Sequence, residues 1–372
     1  MIKNSNSSVS IFEYMSYFAK KNNSLNLSQG IPDNIYDNLW DEAIKNSHLN
    51  MWQYQPSVGY LPLIQMLLKS TFLNAFDDAI ITSGCTEALL CGLYAWSKNG
   101  YSDLIVMEPF YSYYIGLAKL AHLKFKPILM GRNTEKLIID WMLLKQVANS
   151  KSIILINTPH NPSGAVFTAN DWQQLWLIQD TTGCAILIDD VYRHFNFTEE
   201  LTPYLDMSQR NILIAGSVSK SFAATGVRVG WLVGTSKLLE QALIIHKHMS
   251  NCQPELLQRA SLRVMQVVSS STLSCVSQLY HKRAIKLYEG LFHAGFNLIK
   301  PNGGHFIMAS HPRLSDKPAI EQAIFLTLNL GITPLPLNDF FYNKDTNWLR
   351  FSFALNSSVI DSAYQRLMSS NF

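Results

Sequence analysis

Apolar residues along the chain fall into short, nearly continuous runs, separated by stretches in which they recur every three or four positions. The runs are "AIITSG" at 79–84, "DLIVMEP" at 103–109, "SIILINTP" at 152–159, "AILIDD" at 185–190 and "NILIAGS" at 211–217. Rich in β-branched residues and without polar alternation, they predict strands buried on both faces, the pattern of a parallel sheet covered by helices. The stretches 86–100 and 169–183 predict two of those helices, each with a glycine at its end as a stop. The expected class is α/β.

Beyond about residue 275 the pattern changes. A long amphipathic helix is predicted at 276–296, followed by short strands around "GGHFIMAS" and "WLRFSFA". We therefore expect a large domain at 46–274 and a smaller α+β domain formed by 275–372 together with the N-terminal segment 1–45. The length, 372 residues, independently favours two units over one.

Polar residues cluster where the apolar runs stop: Gly84 to Thr86, Pro109 to Tyr111, Asn157 to Gly164, Asp189 to Tyr192, and Ser217 to Lys220. In open α/β sheets the ligand crevice lies beyond the carboxyl ends of the strands, so five segments are expected to converge on one site.

Composition narrows the classes. Charged residues are only 15% of the chain and apolar ones 48%, against roughly 25% charged in soluble proteins, a balance that a buried subunit interface explains. Net charge is +3, and the 30 basic residues are scattered, which argues against a nucleic-acid stripe or a polybasic membrane patch. Five cysteines, far apart and without a CxxC pair, suggest neither a disulfide framework nor zinc, and read as reduced thiols of a cytoplasmic protein. The first ten residues are polar and the next stretch amphipathic, unlike a signal peptide, and no run reaches the length of a membrane span.

The stretch "SVSKSFAATGVRVGW" sets Lys220 among Ser217, Ser219 and Ser221, with Arg228 following. A lysine at a strand end can form a Schiff base while neighbouring hydroxyls and a guanidinium hold an anion. A cofactor with both an aldehyde and a phosphate meets these needs: pyridoxal 5'-phosphate. By itself S-x-S-K is weak, since most lysines are merely solvated. Other segments supply what that cofactor further requires. Asp189 in "ILIDDVY" is a carboxylate for the pyridine nitrogen, or a helix N-cap; Tyr192 could reach the phenolic oxygen. Asn161 in "NTPHNPSG" could donate to the same oxygen, or simply belong to a loop. Gly84, Cys85 and Thr86 offer backbone N–H groups at a helix start as a phosphate cradle. "EPFYSYY" supplies aromatics that are core or a stacking ring. Arg350, embedded in "WLRFSFA", is either in a structural ion pair or the clamp for a substrate α-carboxylate.

Taken in order, Asn-Pro-x-Gly, Asp-x-x-Tyr, Ser-x-Ser-Lys and Gly-x-Arg-x-Gly, with the arginine eight residues after the lysine, resemble the class I/II, fold-type I PLP-dependent aminotransferases. Within them the chain is most similar to the methionine, glutamine and kynurenine branch, from about Ile11 to about Leu367. The resemblance implies a large domain with a mostly parallel sheet flanked by helices and a smaller α+β domain. It implies Lys220 as Schiff-base lysine and acid/base, Asp189 as partner of the pyridine nitrogen, Tyr192 and Asn161 on the phenolic oxygen, and Tyr111 as the stacking aromatic. Ser217, Ser219, Arg228 and the Gly84–Cys85–Thr86 backbone match the phosphate site. Tyr54 in "WQYQPSVGY" matches the tyrosine given to the neighbouring subunit's phosphate, which implies a homodimer. Gly30 in "SQGIPD", Asn161 and Arg350 match the substrate site. Three positions depart from the pattern: Ile64 follows Leu63 where arginine is usual, His305 stands where Tyr or Phe is frequent, and "MSNCQPE" is shorter than its counterparts.

The expected reaction is transfer of an amino group from a small-molecule amino acid to a 2-oxo acid. Tyr54, Tyr111, Tyr113 and Phe306, with no obvious extra basic side chain, favour a neutral methionine-like or aromatic donor. The same scaffold supports carbon–sulfur β-lyases, and a non-catalytic PLP-binding regulatory domain is a further alternative.

Overall fold

The computed structural model describes residues 9–47, 53–70, 73–133, 135–198, 207, 210–344 and 346–370, so most of the polar N-terminal decapeptide lies outside the described residues. Seven strands build the principal sheet: β1 Asp78–Thr82, β2 Asp103–Glu108, β3 Lys124–Leu129, β4 Ser152–Asn157, β5 Ala185–Asp189, β6 Ile212–Ser217 and β7 Gly230–Gly234. Their spatial order is β1-β7-β6-β5-β4-β2-β3. All five apolar runs of the sequence are strands here, and β2, β4, β5 and β6 pair in parallel with β3 at one edge. Two strands were not expected from the sequence: β3, at the parallel edge, and β7, which runs antiparallel between β1 and β6.

Because successive side chains in a strand point to opposite faces, each run feeds two cores. Leu104, Val106, Leu155, Leu187, Leu213 and Leu232 pack on one face, against helices that include α2 Gly84–Lys98, α3 Tyr113–Leu120 and α5 Ser236–Ser250. Ile105, Ile154, Ile156, Ile186, Ile188 and Ile214 pack on the other, in a core that continues into the C-terminal part of the chain. Truncating one of these fully buried side chains to alanine costs about 2–5 kcal/mol, enough to matter against a typical total stability of about 5–15 kcal/mol. Helix α4, Ala169–Thr182, begins with a capping box from Thr168 and Asp171 and stops at Gly183 in the left-handed conformation, as the glycine signal predicts.

The C-terminal part contains the long helix α6, Ser270–His293, and a four-stranded antiparallel sheet of β8 Asn297–Ile299, β9 Phe306–Ser310, β10 Leu335–Pro336 and β11 Leu349–Ser352. The N-terminal segment, which carries helix α1 Ile11–Lys21, joins it: Leu25–Asn26 pairs with Ile332–Thr333, and Ser352 donates its N–H to the Leu27 carbonyl at 2.8 Å. That bond brings the Gly30 loop and β11, which carries Arg350, to one place. Among the described residues no helix is long and apolar enough to cross a membrane.

Candidate active site

Strands β4, β5 and β6 end side by side at Asn157, Asp189 and Ser217, and a cavity of about 430 Å³ opens beyond them. Its floor is Lys220, in the one-turn helix that follows β6. Its Nζ donates to the Gly30 carbonyl at 2.9 Å. Burial, then the charges of Arg350 and Arg228, bring the Lys220 amine down to about 8, with Asp189 acting in the opposite sense. A lysine so adjusted is partly neutral near physiological pH and can serve as nucleophile or base.

Asp189 is 4% exposed. Burial raises its pKa; hydrogen bonds from Tyr114, the Val191 N–H and Cys85, and the Lys220 charge, act to keep it ionised. Asn157 fixes this strand end from the side, its Nδ2 donating to the Asp189 carbonyl at 3.0 Å while its Oδ1 accepts the Asn161 N–H at 2.7 Å. Asn161 is thereby held at the cavity wall, although it lies in a loop.

Arg350 is buried, and no carboxylate faces it among its bonded partners. Nη1 donates to Asn161 Oδ1 at 2.9 Å and Nη2 to the Ser28 carbonyl at 2.7 Å. Its guanidinium carbon lies 3.8 Å from the ring centre of Phe306, with Phe340 and Phe12 beyond it at 5.4 and 5.5 Å. Nε has no partner among the described residues, and burial lowers the group to about 10. The structural ion pair considered from the sequence is absent among the described residues. A buried cation held by dipoles and ring faces alone is stabilised by an incoming anion.

At the other end of the cavity Arg228 adopts a left-handed backbone, φ 56°, and donates to the carbonyls of Thr225 and Ser83 at 3.0 and 3.2 Å. Gly84 lies against it with φ +77°, and a Cβ there would run into the guanidinium; a Cβ on Gly230 would run into the Gly84 backbone. Cys85 and Thr86, at the start of α2, line the cavity beside the Ser217 and Ser219 side chains. Ser217 Oγ accepts the Ser219 N–H at 3.3 Å.

Tyr192 is buried and lines the wall, its hydroxyl kept protonated by burial. Tyr111 stacks with Tyr113 at 5.0 Å between ring centres, and meets Tyr114 edge-on at 5.6 Å. Of the residues singled out from the sequence, Gly30, Cys85, Thr86, Tyr111, Asn161, Asp189, Tyr192, Ser217, Ser219, Lys220, Arg228 and Arg350 line the cavity. Gly84 lies directly behind Arg228. Tyr54 stands apart, outside the cavity lining and 84% exposed.

Two residues that the sequence did not announce support the site, Asn157 on the cavity wall and Tyr114 behind Asp189. Tyr114 sits within the "EPFYSYY" aromatics but contributes its hydroxyl, not its ring; its place on the turn after Tyr111 was the available signal. Asn157 ends an apolar run, and its role depends on contacts with Asp189 and Asn161 that spacing does not reveal.

A family model for aminotransferase class I and II matches residues 22–367. The chain belongs to that family. Its members in the fold-type I group use pyridoxal 5'-phosphate, and membership makes this protein an aminotransferase acting on amino-acid and oxo-acid pairs. The chain is 29% identical over 354 residues to a probable kynurenine–oxoglutarate transaminase of Saccharomyces cerevisiae, covering 85% of this chain and 79% of that protein. It is 25% identical over 371 residues to the methionine aminotransferase of Escherichia coli, covering 96% and 95%. Among solved structures, N-succinyldiaminopimelate aminotransferase from Mycobacterium tuberculosis matches with a TM-score of 0.88 at 23% identity over 97% of both chains, a likeness of fold.

Proposed function

We propose that this aminotransferase takes the amino group of a neutral, methionine-like or aromatic amino acid and passes it to a 2-oxo acid, using Lys220 as its reactive amine. The observation that carries this reading is the position of Lys220 between a buried carboxylate, Asp189, and a buried guanidinium, Arg350, that has no carboxylate of its own.

The residues present fit pyridoxal 5'-phosphate. The glycines around Arg228 leave room for backbone and guanidinium to close on a phosphate, and the unpartnered Nε of Arg350 awaits an anion. When bound, the cofactor supplies an aldehyde that exchanges amino groups and a ring that takes up the charge left by the departing α-proton. Arg228, the Ser217 and Ser219 hydroxyls and the N–H groups of Gly84, Cys85 and Thr86 would hold the phosphate. Asp189 would hold the pyridine nitrogen, Tyr192 and Asn161 the phenolic oxygen, and Tyr111 one ring face. Arg350 binds the substrate carboxylate in a bidentate fork, with Asn161 oriented beside it. Lys220 Nζ takes the proton from the substrate Cα and holds it within the site.

Donor preference follows from the walls. Phe12, Tyr111, Tyr113 and Phe306 surround the space near Arg350, and the remaining lining cations, Lys220 and Arg228, already have roles. Among the described lining residues a second carboxylate on the donor would find no further cation.

We further propose the division into a large unit, 46–274, and a small one, 1–45 with 275–372; the pairing of Leu25–Asn26 with Ile332–Thr333 supports it. A homodimer with Tyr54 reaching the neighbouring site is supported by that tyrosine's exposure and by Leu61, Ile244 and Met249, exposed by 61, 48 and 47%. Five unpaired cysteines support a reducing compartment, the cytoplasm.

The test is to add single amino acids to cofactor-loaded protein without any oxo acid. Conversion to the pyridoxamine spectrum with methionine or aromatic donors, and not with aspartate, is expected. Ammonia and pyruvate from a cysteine conjugate, without that conversion, would instead indicate a β-lyase.

A further inference from the structure

The carboxylate of Asp189 is gripped on both oxygens by side chains from two other segments. Tyr114 Oη, on α3, donates to Oδ2 at 2.6 Å. Cys85 Sγ, at the start of α2, donates to Oδ1 at 3.5 Å, and the Val191 N–H reaches the same oxygen at 3.4 Å. Tyr114 is 2% exposed and lies outside the lining of this cavity, whereas Cys85 faces it. Both groups are held protonated: burial and the adjacent Asp189 charge push the Tyr114 hydroxyl and the Cys85 thiol well above their ordinary values. Toward the carboxylate they therefore act as donors.

We propose that Tyr114 and Cys85 are positioning residues for Asp189, donating to its two oxygens so that the proton shared with the cofactor's ring nitrogen stays on that nitrogen. The inference rests on the reading that Asp189 faces this nitrogen. Its physics is a competition. A desolvated carboxylate is a strong base, and unaided it draws a shared proton toward itself. Each donor hydrogen bond spreads the negative charge and lowers the carboxylate's proton affinity. The phenol is the stronger donor and the thiol the weaker, so their effects are unequal and of the same sign.

The cavity side of this arrangement is distinct from a packing role. Cys85 touches the carboxylate at the mouth of the phosphate turn, so it links the anion site at Arg228 to the ring-nitrogen site at Asp189 within one turn of backbone. Tyr114 closes the opposite side, and its ring also meets Tyr111 edge-on, so a single side chain braces both the carboxylate and the stacking ring.

The experiment is nitrogen-15 NMR of protein loaded with ring-labelled pyridoxal 5'-phosphate, for the wild type, Tyr114→Phe, Cys85→Ala and the double variant. The wild-type resonance should lie at the protonated end. Tyr114→Phe should move it toward the unprotonated pyridine, Cys85→Ala should move it less in the same direction, and kcat should fall about tenfold in Tyr114→Phe with KM unchanged. Cys85→Ala, at a position open to the cavity, provides an independent arm if Tyr114→Phe does not fold. Wild-type resonances in variants that retain the cofactor would overturn the inference alone. A wild-type protein that takes up cofactor with its ring nitrogen already unprotonated would overturn the assignment of Asp189, and this inference with it.

Discussion

Arg350 Nη1 donates to Asn161 Oδ1 at 2.9 Å, tying a strand of the C-terminal sheet to the loop that follows β4. The bond turns the Asn161 amide so that its Nδ2 faces away from the guanidinium and is left to donate elsewhere. It also leaves the guanidinium without a countercharge, which is the condition for binding a carboxylate strongly. On the proposed reading, one pair thus orients both the cofactor donor and the substrate clamp.

Arg350→Met should separate binding from stability. Loss of two charge-assisted hydrogen bonds to the substrate carboxylate, at about 1.5–3 kcal/mol each, predicts a KM for the donor raised at least about 100-fold. Removing a buried cation that lacks an anionic partner should leave Tm unchanged or higher. Steady-state kinetics and a thermal melt of the same preparation check both halves.

Gly84→Ala should lose cofactor affinity without unfolding the sheet. Its φ of +77° disfavours any side chain, and the new methyl would displace the Arg228 guanidinium. We expect cofactor affinity to fall by about one to two orders of magnitude, read by fluorescence titration, with an unchanged far-ultraviolet spectrum.

Acid should destabilise the protein through buried histidines. Burial lowers His160 to about 4, and burial followed by the Lys220 charge lowers His305 well below 6.5. Both folded values lie below the unfolded one. Under about pH 6.5 the unfolded chain binds more protons, so stability is full above that pH and falls as pH drops toward 4. Each histidine contributes a slope of up to about 1.4 kcal/mol per pH unit. Denaturant midpoints should decline through this window, and His305→Phe should flatten the decline.

Lys220 should be reactive at a pH where other lysines are not. With its amine at about 8, modification of the cofactor-free protein by a small aldehyde and hydride donor should rise through pH 8, well before the ordinary lysine range. Mass spectrometry of the labelled peptides resolves Lys220 from the exposed lysines, and Asp189→Asn should lower the midpoint further by removing the charge that favours the protonated form.

Much of this was legible in the chain because the five buried runs depend on local patterning alone, and the functional polar residues stand at their ends. Two strands were not. β3 is an edge strand, "KFKPIL", whose lysines and proline read as loop because one side of it is solvated. β7 has five residues with glycine at both ends and is specified by pairing with β1 and β6 rather than by its own pattern. In the site, Lys220, Asp189 and Arg228 announce themselves by motif. Tyr114 and Asn157 do not, since their roles come from hydrogen bonds to Asp189 across 75 and 32 residues of sequence. Ile64, where the related branch carries arginine, is simply core, 4% exposed beside Leu63.

The central claim is that Lys220 is the amine that engages the cofactor. Borohydride reduction of the protein with pyridoxal 5'-phosphate, followed by peptide mass spectrometry, tests it most directly. The account predicts one stoichiometric phosphopyridoxyl group, on Lys220, lost in Lys220→Ala. A label spread over surface lysines, or a single label on another lysine, would contradict it.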